Sequence, residues 1–253
     1  MSASFQKPIR FASINIEHNA HYDQVIPFLK NFQPDVICLQ ELLECDIALF
    51  ERELGMKCVF APMALTPKVK DDISAPMARS GIGILTASTI LASNAHYYVG
   101  SQDDIPVFYK DPKTGIITVN KVLLSVAISH NGMPYTFANT HFTWTEGGHT
   151  TDEQRAHLKK LFAILDTMPE FVLSGDFNAP RGREIFSTLA ARYKDNIPAH
   201  YKTSIDKNLH RAGDLQLMVD GLFSTPQYEI TDVKLTDGVS DHMAVTALIS
   251  KEI

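Results

Sequence analysis

A chain of 253 residues that is 45% hydrophobic and 21% charged can bury a sizeable core and lacks the bias of a disordered segment. Its formal net charge of −6 and pI near 5.9 exclude broad electrostatic capture of duplex nucleic acid, which needs a basic face. A bound divalent cation would still supply positive charge at one point. Cys38, Cys45 and Cys58 have neither zinc-site spacing nor the even number of a disulfide framework, so a reduced, cytoplasmic setting is expected. Residues 1–7 hold no apolar run of signal-peptide type, and no later run approaches membrane-spanning length.

In chain order, residues 9–16 predict a strand that runs into the polar turn Asn15, Glu17, His18 and Asn19. Val25, Ile26, Phe28 and Leu29 recur at helical spacing, and Pro34 closes that helix. A second strand at 35–41 again ends in polar residues, followed by a helix at 46–54 and a short strand at 58–60. Three prolines, several charges and little periodicity predict a long surface loop over 62–80. The strand opened by Gly81-Ile82-Gly83 predicts close approach by another backbone or a ligand. Strands at 90–99, 119–129 and 135–142 read as hairpins, the last two joined through Asn131-Gly132. Leu158, Leu161, Phe162 and Leu165 share one face of a helix at 152–166. The apolar run Phe171-Val172-Leu173 leads into Ser174-Gly175-Asp176-Phe177-Asn178-Ala179-Pro180, then a helix at 183–192 and a loop-rich stretch at 195–214. Strands at 217–223, 230–235 and 243–250 finish the chain. No repeat or linker divides it, and this mixture predicts one α/β domain over 1–253, two packed sheets with helices outside.

The polar residues fall at the strand ends. Asn15 and Glu41 end the first two strands, and His141 follows Phe137-Ala138-Asn139-Thr140. Asp176 follows Phe171-Val172-Leu173, Asp220 follows Leu217-Met218-Val219, and Asp241-His242 precedes the last strand. Residues so placed converge along one rim of packed sheets. Each alone has an ordinary explanation as a turn residue, a cap or the partner of an arginine. Asp176 can accept a proton or hydrogen bond from a water and Asn178 can donate to an oxyanion, a pair suited to phosphate chemistry. Two residues apart on an extended segment, they would point to the same side. The alternative is a capping turn before the helix near Arg183.

Ser13-Ile14-Asn15-Ile16, Leu39-Gln40-Glu41, Asn139-Thr140-His141, Gly175-Asp176-Phe177-Asn178 and Ser240-Asp241-His242, in this order, resemble the endonuclease/exonuclease/phosphatase superfamily, whose members resemble DNase I. The resemblance spans residues 9–249. It implies a four-layered α/β sandwich, two packed mixed β-sheets flanked by helices. It implies hydrolysis of a phosphodiester or phosphomonoester by in-line attack of an activated water, with Mg²⁺ or, as an alternative, Mn²⁺. On this resemblance Glu41 is the principal metal ligand, with Asn15 beside it, Glu17 as a further candidate and Asp241 helping at the metal. Asp176 handles the water, Asn178, His141 and His242 contact phosphoryl oxygens, and Asp220 orients His242.

The substrate stays open among short, single-stranded or end-presented nucleic acid, an inositol phosphate and a lipid headgroup. His141 in its Thr-His context resembles the branches with DNase I, sphingomyelinases, deadenylases, inositol-polyphosphate phosphatases and tyrosyl-DNA phosphodiesterases, and departs from the abasic-site endonucleases. Trp144 either stacks a base or packs into the core, and Arg211 either grips a second phosphate or is solvated, as with Arg79. A catalytically inactive binding module is the competing class; every matched position retains a competent residue, which speaks against it. A monomer is expected.

Overall fold

In the computed structural model, which describes residues 7–69, 72 and 74–251, the apolar runs become strands buried on one or both faces. The strands are β1 (Ile9–Asn15), β2 (Val36–Leu43), β3 (Lys57–Pro67), β4 (Met77–Thr86), β5 (Thr89–Val99), β6 (Tyr109–Lys110), β7 (Ile117–Thr118), β8 (Lys121–His130), β9 (Met133–His141), β10 (Val172–Asp176), β11 (Lys194–Asp195), β12 (Asp220–Ser224), β13 (Tyr228–Thr236) and β14 (Ala244–Lys251). The helices are α1 (Tyr22–Phe32), α2 (Ile47–Leu54), α3 (Asp152–Leu165) and α4 (Glu184–Arg192). One six-stranded sheet has the order β13-β14-β1-β2-β4-β3 and the other β11-β12-β10-β9-β8-β5, with β6 and β7 as a separate ribbon. β1 with β2 and β9 with β10 are parallel, and the remaining pairs are antiparallel, so both sheets are mixed. The expected four-layered sandwich is the observed fold. Among the described residues no helix is long and apolar enough to cross a membrane. Residues 1–6, read as polar, lie outside the described residues.

Strand periodicity explains the layers. Along β2, Val36 and Cys38 face the other sheet while Ile37 and Leu39 face α1 and α2, so the run is apolar throughout. Along β10, Val172 faces inward and Leu173 faces α3 and α4. Between the sheets the Phe11 and Phe137 rings stack at 5.7 Å. Outside, Val25, Leu29 and Phe50 cover one sheet, and Leu158, Leu161, Ile185 and Phe186 the other. Each such side chain contributes about 1.5–3 kcal/mol by leaving water.

At one end the interior turns polar. Gln40 Nε2 donates to Asn139 Oδ1 at 2.7 Å, crossing from β2 to β9. Asn139 Nδ2 in turn donates to the carbonyls of Leu39 (2.9 Å) and Gly83 (3.0 Å) in the opposite sheet. Both side chains are fully buried.

Two stretches depart from the sequence reading. The loop expected over 62–80 is mostly β3 and β4, which pair from Lys57–Thr86 out to Pro67–Met77. Prolines hide there because β3 is an edge strand and Pro62 sits where the register shifts, the places where a missing N–H is tolerated. The close approach expected at Gly81 is backbone: a Cβ there would lie 2.0 Å from Ala61 O. The strand expected at 217–223 begins only at Asp220, after Ser204 Oγ has accepted hydrogen bonds from the N–H groups of Val219 and Asp220. Asp220 therefore opens its strand, and reaches the same rim because β12 runs antiparallel to β10, with Asp220 opposite Asp176.

Asn139→Ala should strip the inter-sheet hydrogen bonds and leave the Leu39 and Gly83 carbonyls buried without donors. We expect about 3 kcal/mol of lost stability, read as a lower urea midpoint. A loss below about 1 kcal/mol would mean that this crosslink does not hold the sheets in register.

Candidate active site

The rim is assembled around one amide. Asn15, at the end of β1, donates through Nδ2 to Glu41 Oε1 (3.3 Å) and to Asp176 Oδ2 (3.2 Å), joining carboxylates from the two sheets. Glu41 is there because β2 bulges: its φ is 59°, and pairing with β4 skips from Leu39 to Leu42. A left-handed non-glycine residue costs about 1 kcal/mol or more, and such strain collects at functional sites. The bulge leaves Glu41 half-buried beside the fully buried Gln40.

Gly175 lets β10 lie against β9. Its φ is 146°, and a Cβ would stand 1.9 Å from Thr140 O. This packing sets Asp176 level with His141. Asp176 and Asn178 do not sit on an extended segment, as their spacing suggested. Asn178 has φ 50°, and its N–H donates to Asp176 Oδ1 at 2.8 Å, closing a turn. The turn is local to Asp176, with Oδ1 closing it and Oδ2 facing the rim, and it does not cap α4, whose N-cap is Arg183 with no side-chain cap bond. Asn178 Nδ2 donates to Phe142 O at 3.2 Å, bracing the segment that follows His141.

Two imidazoles face the same carboxylate oxygen. His141 Nε2 lies 3.5 Å and His242 Nε2 3.8 Å from Asp176 Oδ2. His242 Nδ1 donates to Asp220 Oδ2 at 2.8 Å. Burial pushes the Asp176 carboxyl up to about 7, against the opposing pull of the His242 charge. Burial works against a charged His242 as well, but the carboxylates of Asp220 and Asp176 outweigh it and hold the ring well above its ordinary range. His141 goes the other way: burial, then the charges of Lys121 and His242, keep it neutral at pH 7. Donor atoms of Asp176, Asp220 and His242 lie within 4.8 Å of one another, close enough to surround a cation. An imidazolium held on Asp220 has no lone pair to give, so these three suit proton handling better than metal binding. A carboxylate that can take a proton near neutrality, beside one charged and one neutral imidazole, can accept a proton from water and face an anion with N–H donors.

Asp241 is placed with Glu17 and His21, their ligand atoms within 4.8 Å of one another. The loop before it is anchored by Asp206, whose carboxylate accepts from the N–H groups of Asn208, Leu209 and Gly238. Lys121 was missed in the sequence. It is buried at the start of β8 and donates Nζ to Phe142 O at 2.9 Å; burial brings its ammonium down to about 8, against the charges of Asp176, Glu153 and Glu41. The signal was present, since Lys121 opens the strand whose hairpin partner ends at His141. His21 was also missed, though it stands four residues after Glu17. Trp144 is neither in the core nor bare: it is half-buried, with Lys110 Nζ 4.1 Å from its ring centroid. Arg79 pairs with Glu44 at 3.7 Å and Arg211 is exposed, so neither joins the contacts around Asp176.

The Endonuclease/Exonuclease/phosphatase family model matches residues 12–242. The chain belongs to this family. No curated protein sequence matches it. Among solved structures, an endonuclease/exonuclease/phosphatase from Bacteroides vulgatus is similar with a TM-score of 0.70 at 16% identity, over 98% of this chain and 100% of that one. A mannosyl-6-phosphatase of Bacteroides thetaiotaomicron gives 0.68 at 13%, over 96% and 99%. The catalytic domain of human Nocturnin with bound sulfate gives 0.69 at 17%, over 99% and 97%. At such identities the likeness is one of fold alone.

The buried carboxylate has a stability consequence. An unfolded Asp loses its proton near 3.9, whereas Asp176 in the fold keeps it up to about 7. Between these values the native state binds more protons, so this residue's contribution to stability falls as pH rises. In EDTA, the melting temperature of Asp176→Asn relative to wild type should therefore climb from about pH 5 to about pH 8. A difference that is flat or falls with pH contradicts the raised value.

Proposed function

We propose that this chain hydrolyses a phosphoester with the help of a divalent cation, by in-line attack of a water that Asp176 orients and deprotonates. The observation that carries the reading is the convergence on Asp176 Oδ2 of Asn15 Nδ2 at 3.2 Å, His141 Nε2 at 3.5 Å and His242 Nε2 at 3.8 Å. Asn15 holds the carboxylate while His242, kept charged by Asp220, presents an N–H to a phosphoryl oxygen. His141, neutral, gives a second donor without adding charge against Lys121. Lys121 and Asn178 both hold Phe142 O, so the backbone after His141 is braced from two sides.

For the cation, the donor set fits in part. Glu41, Glu17 and Asp241 offer hard anionic oxygens of the kind Mg²⁺ takes, and few are needed because that ion keeps waters and substrate oxygens. Asn15 turns its N–H groups to Glu41 and Asp176, and its Oδ1 accepts from Glu17 N at 3.2 Å, so it serves as a brace between carboxylates. When bound, the cation supplies Lewis acidity toward phosphoryl oxygens.

Substrate size follows from charge and space. The net charge of −6 disfavours long duplexes. A cavity of about 280 Å³, lined by Lys121, Thr143, Glu153 and His157 among others but by none of Glu41, His141, Asp176 or His242, adjoins the segment after His141 and has room for one ring-sized group beside the site. A small phosphorylated alcohol or the end of a short nucleic acid fits both constraints.

A panel of sugar phosphates, inositol phosphates, nucleotides, short DNA and RNA ends and a generic diester, run with and without EDTA, tests the reading. Hydrolysis that EDTA abolishes, and that in Glu41→Gln needs a higher cation concentration than in wild type, is the expected result. Full activity in EDTA after stripping would overturn the cation requirement, and no turnover of any member would favour the binding-module reading. On a working substrate, Asp220→Asn should lower turnover by about a hundredfold or more. Because Asp220 raises His242 and the charged ring is the active form, the alkaline limb of the rate profile should move to lower pH. An unmoved limb with only a lower melting temperature would make Asp220 purely structural.

A further inference from the structure

The geometry points to a cation site in this chain whose donors include imidazole nitrogen, from His21 and with His18 close by, and which therefore takes a first-row transition ion in preference to Mg²⁺. The inference rests on the reading that this rim holds a divalent cation, and specifies which one.

The donors come from separate segments. Glu17 follows β1, His21 precedes α1, and Asp241 lies in the loop before β14. Glu17 Oε2 and His21 Nε2 are 2.7 Å apart, and one ligand atom from each of the three residues lies within 4.8 Å of the others. Glu17 and Asp241 are each 8% exposed, so their charges sit largely out of water beside a half-buried ring. Glu17 already pairs with His21, and Asp241 Oδ1 accepts from Ser240 Oγ at 3.2 Å.

This cluster is continuous with Glu41. Asn15 accepts from the Glu17 backbone N–H through Oδ1 and donates to Glu41 through Nδ2, so one side chain ties the turn that carries Glu17 to the Glu41 carboxylate. A second imidazole faces Glu41. His18 Nδ1 stands 3.9 Å from Glu41 Oε2, too far for a hydrogen bond, and is a buried ring nitrogen with no hydrogen-bond partner. Buried nitrogens of this kind are normally satisfied, and an ion between ring and carboxylates would satisfy it. Glu17 and His18 both have left-handed backbones, with φ of 49° and 57°, and that turn brings both rings to the acidic side.

The donor chemistry sets the preference. Mg²⁺, like Mn²⁺, is satisfied by oxygens and retains water, whereas imidazole favours the later first-row ions such as Co²⁺ and Zn²⁺. His21 could instead be a simple partner of Glu17, holding the turn without touching an ion. The two roles differ in what removing the ring does to different metals.

The test is calorimetric titration of metal-stripped protein with Co²⁺ and with Mg²⁺, together with the visible absorption of the Co²⁺ form. Since Co²⁺ exceeds Mg²⁺ at most mixed sites, the decisive quantity is the change in their ratio on mutation. H21Q should weaken Co²⁺ at least about tenfold, alter its absorption, and change Mg²⁺ by less than about threefold. H21E, whose carboxylate oxygen reaches about as far as the ring Nε2, should keep Mg²⁺ binding and lose the Co²⁺ preference, and it serves should H21Q not fold. Equal losses for both ions, or an unchanged Co²⁺ affinity and spectrum, would overturn the proposal, as would a wild type that binds no Co²⁺. An inactive substrate panel would sink the phosphoesterase reading while leaving these titrations to stand by themselves.

Discussion

Two buried amides, Gln40 and Asn139, are the constraint on which this arrangement depends. The β2 bulge that turns Glu41 outward interrupts pairing with β4 between Leu39 and Leu42. Such a break leaves backbone carbonyls without their ladder partners, and burying them would cost about 1–3 kcal/mol each. Asn139 reaches across from the other sheet and donates to the carbonyls of Leu39 and Gly83, while Gln40 donates back to it. The bulge is tolerated because the opposite sheet completes its hydrogen bonds. The same bonds fix the sheets in register, so that Glu41 from one and His141 from the other, each within two residues of these amides, reach the same rim.

From that register the chemistry follows with few further parts. β9 and β10 lie parallel and close because Gly175 has no Cβ to strike Thr140 O. Asp176 then sits among Asn15, His141 and His242, with one oxygen closing a turn and the other facing the rim. Its burial is unfavourable to the folded chain and favourable to proton transfer near neutrality, the usual opposition between stability and activity at such sites. Asp220 gives His242 its charge, while Lys121 and His242 deny one to His141. Two rings of the same type thereby acquire different roles from their neighbours alone.

Much of this was legible in the chain. Strands buried on both faces read as unbroken apolar runs, so Asn15, Glu41, His141 and Asp176 stood out at their ends and Asp241-His242 stood out before the last one, and the fold brings Asn15, His141 and His242 to Asp176. Asn131-Gly132 marked its hairpin, and both residues have positive φ in the fold. What stayed hidden has physical causes. Pro62 and Pro67 concealed β3 and β4 because edge strands accept prolines that central strands reject. Asp220 looked like the end of a strand because Leu217-Met218-Val219 is apolar, yet those residues are held by Ser204, Arg181 and Phe177 rather than by a strand ladder. Asn178 gave no sign of its left-handed backbone. Lys121 was passed over because an ammonium at the head of a strand ordinarily points into water, and its buried Nζ instead donates to the carbonyl of Phe142, just past the end of the neighbouring strand. His21 needed the loop before β14 to become part of anything.

The central claim is that one buried carboxylate lies between a charged and a neutral imidazole. Nitrogen NMR of histidine-labelled, metal-free protein tests it most directly, with H141Q and H242Q used to assign two of the ten rings. Through the neutral range the His242 ring should carry protons on both nitrogens and the His141 ring on one. If both rings instead titrated together near the ordinary value of about 6.5, the account of this site would be wrong.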